Sequence, residues 1–448
     1  MVKRSIEKKG LHVEAVTANN TMIVDPENAF WAITENDIDE GAFIPQEVLT
    51  LYNDRKGLCD EEMYRFRFET GLTAVYIDPT DRCNANCSYC YIPAARRKQG
   101  RSMTQDELDA ALTKIEKYFK AQKRTPVIIF HAAEPLLVKD VLFRSIDRFK
   151  DRLYFGIQTN ALLLTKEDVR FIKSRKVSIG ISIDAPDKLT NDRLRRSFRG
   201  GGNFKKAVQA LEWFEGYKGL NVIATMTKTN IEKLPALVRF LHTKKVRCVL
   251  INPMRLTRKE AIRVKPDEKK MAKYFIRAVD EAIRLSERSS RGIIIGNFTN
   301  VLLAIVAPTA RRLMCDISPC GGGRTFFTIT ATGDMIPCGE FVSAKGMSGG
   351  NIHKDSIESA LRSKAFTRVR NRYVEKIEEC NVCAYRNICG APCPAELNAM
   401  GDMYQKSVFC EFYKTVIRYA FKLIAEGKEK HLLRKESLRY LRYEYLLD

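Results

Sequence analysis

No uninterrupted run of eighteen apolar residues occurs in the 448-residue chain, so no membrane-spanning helix and no membrane partner are expected. The N-terminus, Met1-Val2-Lys3-Arg4-Ser5, leads into charged residues without the apolar core of a signal peptide, which makes the expected location cytoplasmic. Internal repeats and low-complexity linkers are missing too, which leaves no sign of a solenoid or of tethered modules. Against these absences stand thirteen cysteines. In a cytosolic chain that number argues for metal ligands before disulfides. The length allows a large core and more than one domain. The formal net charge of +22 suits nucleic acid, an acidic peptide or simple solubility. Lysine and arginine are spread along the whole chain, so a nucleic-acid partner is not expected.

The chemistry concentrates first in Asp81-Arg82-Cys83-Asn84-Ala85-Asn86-Cys87-Ser88-Tyr89-Cys90-Tyr91. Three thiolates so close can converge on one metal centre without a long loop to close. Four sulfur ligands usually complete a zinc site or an iron–sulfur cluster, yet no fourth Cys or His follows nearby. The simplest reading is a cluster with one iron left open for a non-protein ligand. An open metal position is where chemistry happens.

Before this triad, two apolar runs, residues 21–24 and 30–33, flank the turn-forming Asp25-Pro26-Glu27-Asn28 and predict a hairpin. Helices are expected over 45–52 and 61–68. The extension reads as a decoration on the main domain; an exposed hairpin edge could also dock a substrate peptide. From residue 72 the pattern is strand then helix, repeated. Strands are predicted at 73–77, 126–130, 153–157, 177–183, 220–226 and 247–251, with helices between them. The helix over 103–120 has Thr104 as its cap and Glu107 three residues on. Six such units give a parallel sheet, open or curled into a partial barrel. Functional residues belong at the C-terminal strand ends. Those ends carry the triad, His131-Ala132-Ala133-Glu134-Pro135, Gln158-Thr159-Asn160, Ser182-Ile183-Asp184 and Asn252-Pro253-Met254, a rim of polar groups suited to a ligand. Residues 255–300 read as a basic helical connection, clearest over 265–285. Cys59 and Cys248 stand apart and read as small core residues.

A second array begins at Cys315, with Cys320 and Cys338, followed by Cys380, Cys383, Cys389, Cys393 and Cys410. Eight thiols suffice for two four-thiolate sites. A hairpin over 326–336, turning at Thr332-Gly333, would carry Cys338 back towards Cys320. Zinc ribbons are permitted by the spacing. The cysteine-only ligand set, with few of the five histidines nearby, suits iron–sulfur at least as well. The segment after Glu411 reads as a basic helix or helix pair, with Val416, Tyr419, Ile424, Leu432 and Leu438 apolar.

The Cys83, Cys87, Cys90 spacing, with the aromatic Tyr89 before the third cysteine, resembles the radical S-adenosylmethionine (SAM) superfamily. The array, in which twelve residues separate Cys320 from Gly333 and four separate Gly333 from Cys338, resembles the SPASM extension of peptide- and protein-modifying members. The continuation from Cys380 to Cys410 matches as well. The resemblance implies an α/β fold: a partial (β/α)6 TIM-like barrel, then a small cysteine-rich domain with a β-hairpin and helices. The expected division is an extension at 1–70, the barrel and basic connection at 71–300, the SPASM domain at 301–415 and a helical tail at 416–448. It implies a 4Fe–4S cluster on Cys83, Cys87 and Cys90, its open iron chelated by SAM. It also implies two auxiliary 4Fe–4S clusters, one on Cys315, Cys320, Cys338 and Cys393, the other on Cys380, Cys383, Cys389 and Cys410. Around the cofactor it places Tyr89, Glu134, the backbone of Ala132 and Ala133, Asn160, Ser182, Asp184 and Arg195. The family has glycines where this chain has Ala132, Ala133 and Ala161.

The implied chemistry is reductive cleavage of SAM to a 5′-deoxyadenosyl radical, hydrogen abstraction from a substrate, and net oxidation with an electron leaving through the auxiliary clusters. The expected substrate is a peptide or protein side chain, most readily of a ribosomally made peptide, with flavodoxin or ferredoxin as electron donor. An anaerobic sulfatase-maturing (formylglycine-forming) activity is the alternative. That family has an acid directly after the cysteine matching Cys338; here Gly339 intervenes and Glu340 follows. Glu340 is the candidate base, set against a plain reading as a solvated loop acid. A rival of another class is a non-catalytic zinc protein binding nucleic acid, which explains the charge and the array but leaves the triad one ligand short.

Overall fold

The computed structural model describes residues 10–28, 30–35, 44–289, 291–311 and 314–433; Leu438 and the rest of the tail lie outside them. Three short strands, β1 (His12–Ala15), β2 (Thr21–Val24) and β3 (Trp31–Thr34), form an antiparallel sheet with β2 in the middle. The hairpin expected there is its second half. Asp25 turns it, accepting from the Glu27 amide at 2.8 Å and from Asn28 Nδ2 at 2.9 Å. The two helices expected next are one, Gln46–Tyr64, running on into a short π-helical turn, Arg65–Glu69.

The six expected parallel strands are present: β4 (Ala74–Ile77), β5 (Val127–Phe130), β6 (Tyr154–Thr159), β7 (Ser178–Ser182), β8 (Leu220–Met226) and β9 (Cys248–Pro253). A two-residue strand, β10 (Ile294–Ile295), lies parallel beside β9. The hairpin of the cysteine array forms as β11 (Phe326–Ile329) and β12 (Met335–Ile336). It is not a separate sheet. β11 pairs in parallel with β4, Phe326 opposite Ala74 and Ile329 opposite Ile77. The sheet therefore runs β10-β9-β8-β7-β6-β5-β4-β11-β12.

The helices cover one face. The helix Gln105–Ala121 starts at the expected capping box, Thr104 and Glu107 bonding each other's backbone amides. It buries Leu108, Leu112, Ile115 and Phe119 completely, a stripe at helical spacing worth ~1.5–3 kcal/mol per side chain. Along β8 and β9 buried residues alternate with half-buried ones, so the other face lines an incompletely filled lumen. Cys248 is half-buried there, not in the core, while Cys59 is buried as expected.

The basic connection is mixed. It holds the helix Glu268–Arg288, then the apolar helix Gly296–Val306, in which Phe298, Leu302, Leu303, Ile305 and Val306 are all buried. The helix Cys410–Ala425 packs on both, with the Phe412 ring 5.4 Å from Phe275 and the Tyr419 ring 5.9 Å from Phe298.

Candidate active site and auxiliary cluster sites

The triad occupies the loop between β4 and the short helix Ala94–Gln99. Arg97, 3% exposed, fills the inside of that loop. It donates to the Ile92 and Ala85 carbonyls at 3.0 and 2.8 Å and to Asn86 Oδ1 at 3.0 Å. Its own carbonyl accepts from the Cys83 amide at 2.9 Å. Arg258 donates to the Cys90 carbonyl at 3.1 Å. Burial pushes the Cys83 thiol up to about 12 and the Cys87 thiol to about 11. Such thiols ionise when a metal supplies the missing positive charge.

Strand register assembles the rim. Because Ile77 faces Phe130 and Thr159 faces Ile181, Asp78 comes beside His131 and Asn160 beside Ser182. Glu134, fully buried, accepts from Thr159 Oγ1 at 2.7 Å and from the Asn160 and Leu136 amides at 2.8 and 3.2 Å. Burial nevertheless pushes its carboxyl up to about 7. It ties the end of β5 to the end of β6. Asn160 Nδ2 donates to Asn84 Oδ1 at 2.7 Å and lies 3.9 Å from Cys83 Sγ.

Tyr89, Asp184 and Arg195 do come together. The Asp184 carboxylate accepts from the Tyr89 hydroxyl at 2.6 Å, from Arg195 Nη2 at 3.2 Å and from the Thr225 amide at 2.9 Å, with Arg195 Nε 2.8 Å away in the same ion pair. The guanidinium also stands 5.6 Å over the Tyr89 ring. With its carboxylate so occupied, Asp184 positions Tyr89 and Arg195 and has no oxygen turned outward. Both Asp184 and Arg195 are charge neighbours of Cys87. Ala132, Ala133 and Ala161 adopt φ of +59°, +46° and +64°. The backbone thus keeps the left-handed turns that glycine would take freely, at a cost of ~1–2 kcal/mol per alanine.

Sequence reasoning missed the asparagines behind this rim. Buried Asn203 donates to the Asn160 and Ser182 carbonyls at 2.9 and 3.0 Å and accepts from Asn191. Asn230 donates to the Asp184 and Thr225 carbonyls at 2.8 and 2.9 Å. They sit in loops with no periodicity or spacing to mark them.

Glu340 is not the solvated loop acid of the plain reading. Its Oε2 is inaccessible and without a hydrogen-bond partner, as are Asp78 Oδ1, Tyr91 OH and His131 Nδ1. Burial raises the carboxyls of Glu340 and Asp78. The His131 ring lies 3.7 Å from where a side chain on Gly339 would begin, an approach that the missing Cβ permits. Asp78 and His131 stand 3.7 Å apart. Tyr91 has Glu340, Asp78, Cys90 and Cys338 as charge neighbours.

Within the array, thiols neighbour one another in two groups. Cys338 has Cys393 and Cys315 as charge neighbours, and Cys393 has Cys320. Cys380 and Cys389 each have Cys383 and Cys410. Cys315 is exposed, yet it faces an internal cavity of about 80 Å³, beside Arg255, Asp316 and Tyr413. Buried Arg324 and Arg372 donate only to carbonyls: Phe66 and Pro319 for the first; Met403, Ala391 and Gln405 for the second. Burial pushes Arg324 down to about 10 and lowers Arg372. Four thiolates around a 4Fe–4S core leave a net negative charge, which is what these cations lack, so the donor set fits such clusters. Among the described residues no three His, Cys, Asp or Glu side chains close round a single metal ion; a four-iron cluster holds its thiolates further apart than one ion does.

The N-terminal sheet is tied to this second set. Asn387 Nδ2 donates to the Pro26 and Glu27 carbonyls at 2.8 Å each, and Arg418 to Glu14 at 2.7 Å. Among the described residues no helix is long and apolar enough to cross a membrane.

Comparison with known proteins places these features. Residues 77–241 match the Radical SAM superfamily and residues 320–384 the SPASM iron–sulfur cluster-binding domain. An uncharacterized protein of Archaeoglobus fulgidus is 45% identical over 92% of this chain and 94% of its own length. The PqqA peptide cyclase of Bradyrhizobium diazoefficiens is 24% identical over 80% of this chain and 92% of its own. Among solved structures, anSMEcpe with bound AdoMet shares the fold at a TM-score of 0.71 and 18% identity, covering 82% of this chain and 97% of that one.

Proposed function

Because the chain belongs to the radical SAM superfamily and carries a SPASM iron–sulfur domain, we propose that it is a peptide or protein maturase that oxidises a side chain of a ribosomally made peptide. Membership makes it an enzyme and sets aside the zinc-protein reading; the two domains imply 4Fe–4S clusters and SAM. The observation that carries the substrate reading is the joint between β4 and β11. It brings Cys338, Gly339 and Glu340 over the rim, so that a substrate reaching the triad pocket also meets the first auxiliary site.

When bound, the cluster and SAM supply a 5′-deoxyadenosyl radical able to take a hydrogen atom. Cys83, Cys87 and Cys90 hold the triad cluster, and Asn160, Ser182 and the Tyr89–Asp184–Arg195 group shape the cofactor's side of the pocket. Glu134 fixes the rim that carries them. Ala132 and Ala133 offer their backbone in the turn that follows β5. Glu340, buried and with its carboxyl raised, is suited to accept the proton that an oxidised side chain releases. Cys315, Cys320, Cys338 and Cys393 hold one auxiliary cluster, and Cys380, Cys383, Cys389 and Cys410 the other. Flavodoxin or ferredoxin is the electron donor in this reading. The burial of Glu340 one residue beyond the family's acid position also supports the alternative of a sulfatase-maturing type of reaction.

Anaerobic purification with iron and sulfide analysis, then dithionite and SAM, tests the proposal. About twelve irons per chain are expected for three clusters, with 5′-deoxyadenosine as product. A C83A/C87A/C90A variant should make none, and product from it would refute the site. Deuterium passing from a labelled peptide into 5′-deoxyadenosine identifies the substrate. No transfer from any peptide or sulfatase segment encoded beside the gene would sink the substrate reading.

A further inference from the structure

Arg255 stands two residues beyond β9, at the edge of the cavity that Cys315, Asp316 and Tyr413 also line. Its guanidinium makes no hydrogen bond and no ion pair with any described residue, although its neighbours Leu256 and Arg258 are both engaged. Arg255 is half-buried, and a cation drawn partly out of water without a protein partner is costly. Its charge neighbours are Cys393, then Tyr413, Glu396 and Glu340; Cys315 and Cys320 count it among theirs. Three of the four thiols of the first auxiliary set therefore feel this one cation. The nearby acids Glu396, Asp316 and Glu340 also face this cation, though none comes within ion-pair distance of it. Glu396 accepts from the Leu256 amide at 2.6 Å, and Asp316 has Arg311 as well. Arg372 also neighbours this set, but its donors are spent on three carbonyls.

We propose that Arg255 sets the electron affinity of the first auxiliary site, holding a fixed positive charge and free N–H donors on the side of Cys315, Cys320 and Cys393. The inference rests on the reading that this site holds a 4Fe–4S cluster. Reduction of such a cluster from its 2+ to its 1+ core adds one electron and so one negative charge. A guanidinium beside it favours the reduced form and raises the midpoint potential.

The test uses the full chain, reconstituted anaerobically, with iron and sulfide quantified and SAM present. Dithionite titration followed by electron paramagnetic resonance reads the three midpoints. In Arg255→Gln one auxiliary midpoint should fall by at least a tenfold change in its reduced-to-oxidised ratio, about 59 mV for one electron. Arg255→Lys keeps the charge but loses the fork, and should lower the same midpoint by about threefold, roughly 28 mV. The other two midpoints should stay in place and serve as internal controls. Unchanged midpoints at full iron content, or an equal shift of all three, would overturn the proposal. Should Arg255→Gln fail to hold iron, Arg255→Lys decides alone: a lowered single midpoint supports the assignment and an unchanged one ends it. Variants that show these shifts beside a wild type that forms no 5′-deoxyadenosine would defeat the functional reading and leave the role of Arg255 standing.

Discussion

At the triad one buried cation has a carboxylate partner, Arg195 against Asp184, while Arg97 is wrapped by carbonyls and an asparagine inside the loop it supports. At the array Arg324 and Arg372 reach carbonyls alone, and Arg255 has no hydrogen-bond partner among the described residues. The first region is built to stand before its metal arrives. The second holds cations whose counter-charge comes with its clusters. The triad is thus a site placed on a finished scaffold, while the array is a scaffold that its metal completes.

The largest expected effect tests that contrast directly. Replacing Cys380, Cys383, Cys389 and Cys410 by Ala should cost the array on the order of 10 kcal/mol, the scale of a structural metal site, and expose residues 314–433 to limited proteolysis. The triad triple-alanine protein should melt close to wild type while making no 5′-deoxyadenosine; equal losses of Tm in the two would break the comparison. Next, Arg195→Met should cost about 3–5 kcal/mol in chemical denaturation even without metal, because it strands the buried Asp184 carboxylate. A third test is pH. Glu134 has a folded carboxyl near 7 against an ordinary value of 4.5, so the folded state binds the extra proton between those values. Its contribution to stability is full below about 4.5 and is lost as pH rises through about 7. Glu134→Gln should flatten that part of the stability–pH curve; an unchanged slope would mean the rim is braced elsewhere. The smallest effect is at Ala161, whose left-handed φ makes Ala161→Gly a gain of about 0.5–1 kcal/mol in the same measurement.

The alternation of strand and helix from residue 72, the Thr104 cap and the array's hairpin were legible because each depends on contiguous residues. The clustering of cysteines along the chain was legible because ligand spacing is local, while the sorting of the array thiols into two clusters rests on a family resemblance. What escaped depends on chain segments meeting from far apart. The pairing of β11 with β4 leaves no mark in either strand, since both are only short apolar runs. The same joint buries Glu340, which in its own loop looks like any surface acid. Asn203 and Asn230 serve carbonyls on other strands and carry no signal of that service. The helix Gly296–Val306 was hidden by being read together with the basic stretch before it.

The seam between β4 and β11 joins strands about 250 residues apart. During synthesis the β4 edge must wait, unpaired, until the last third of the chain leaves the ribosome. The triad loop follows directly from that edge. While the edge waits, the loop is uncovered on the side that the array later closes. Closure of the seam then covers the loop on that side. A chain truncated before Phe326 would keep that edge exposed and offer it to other chains, so the seam also decides whether an incomplete molecule stays soluble.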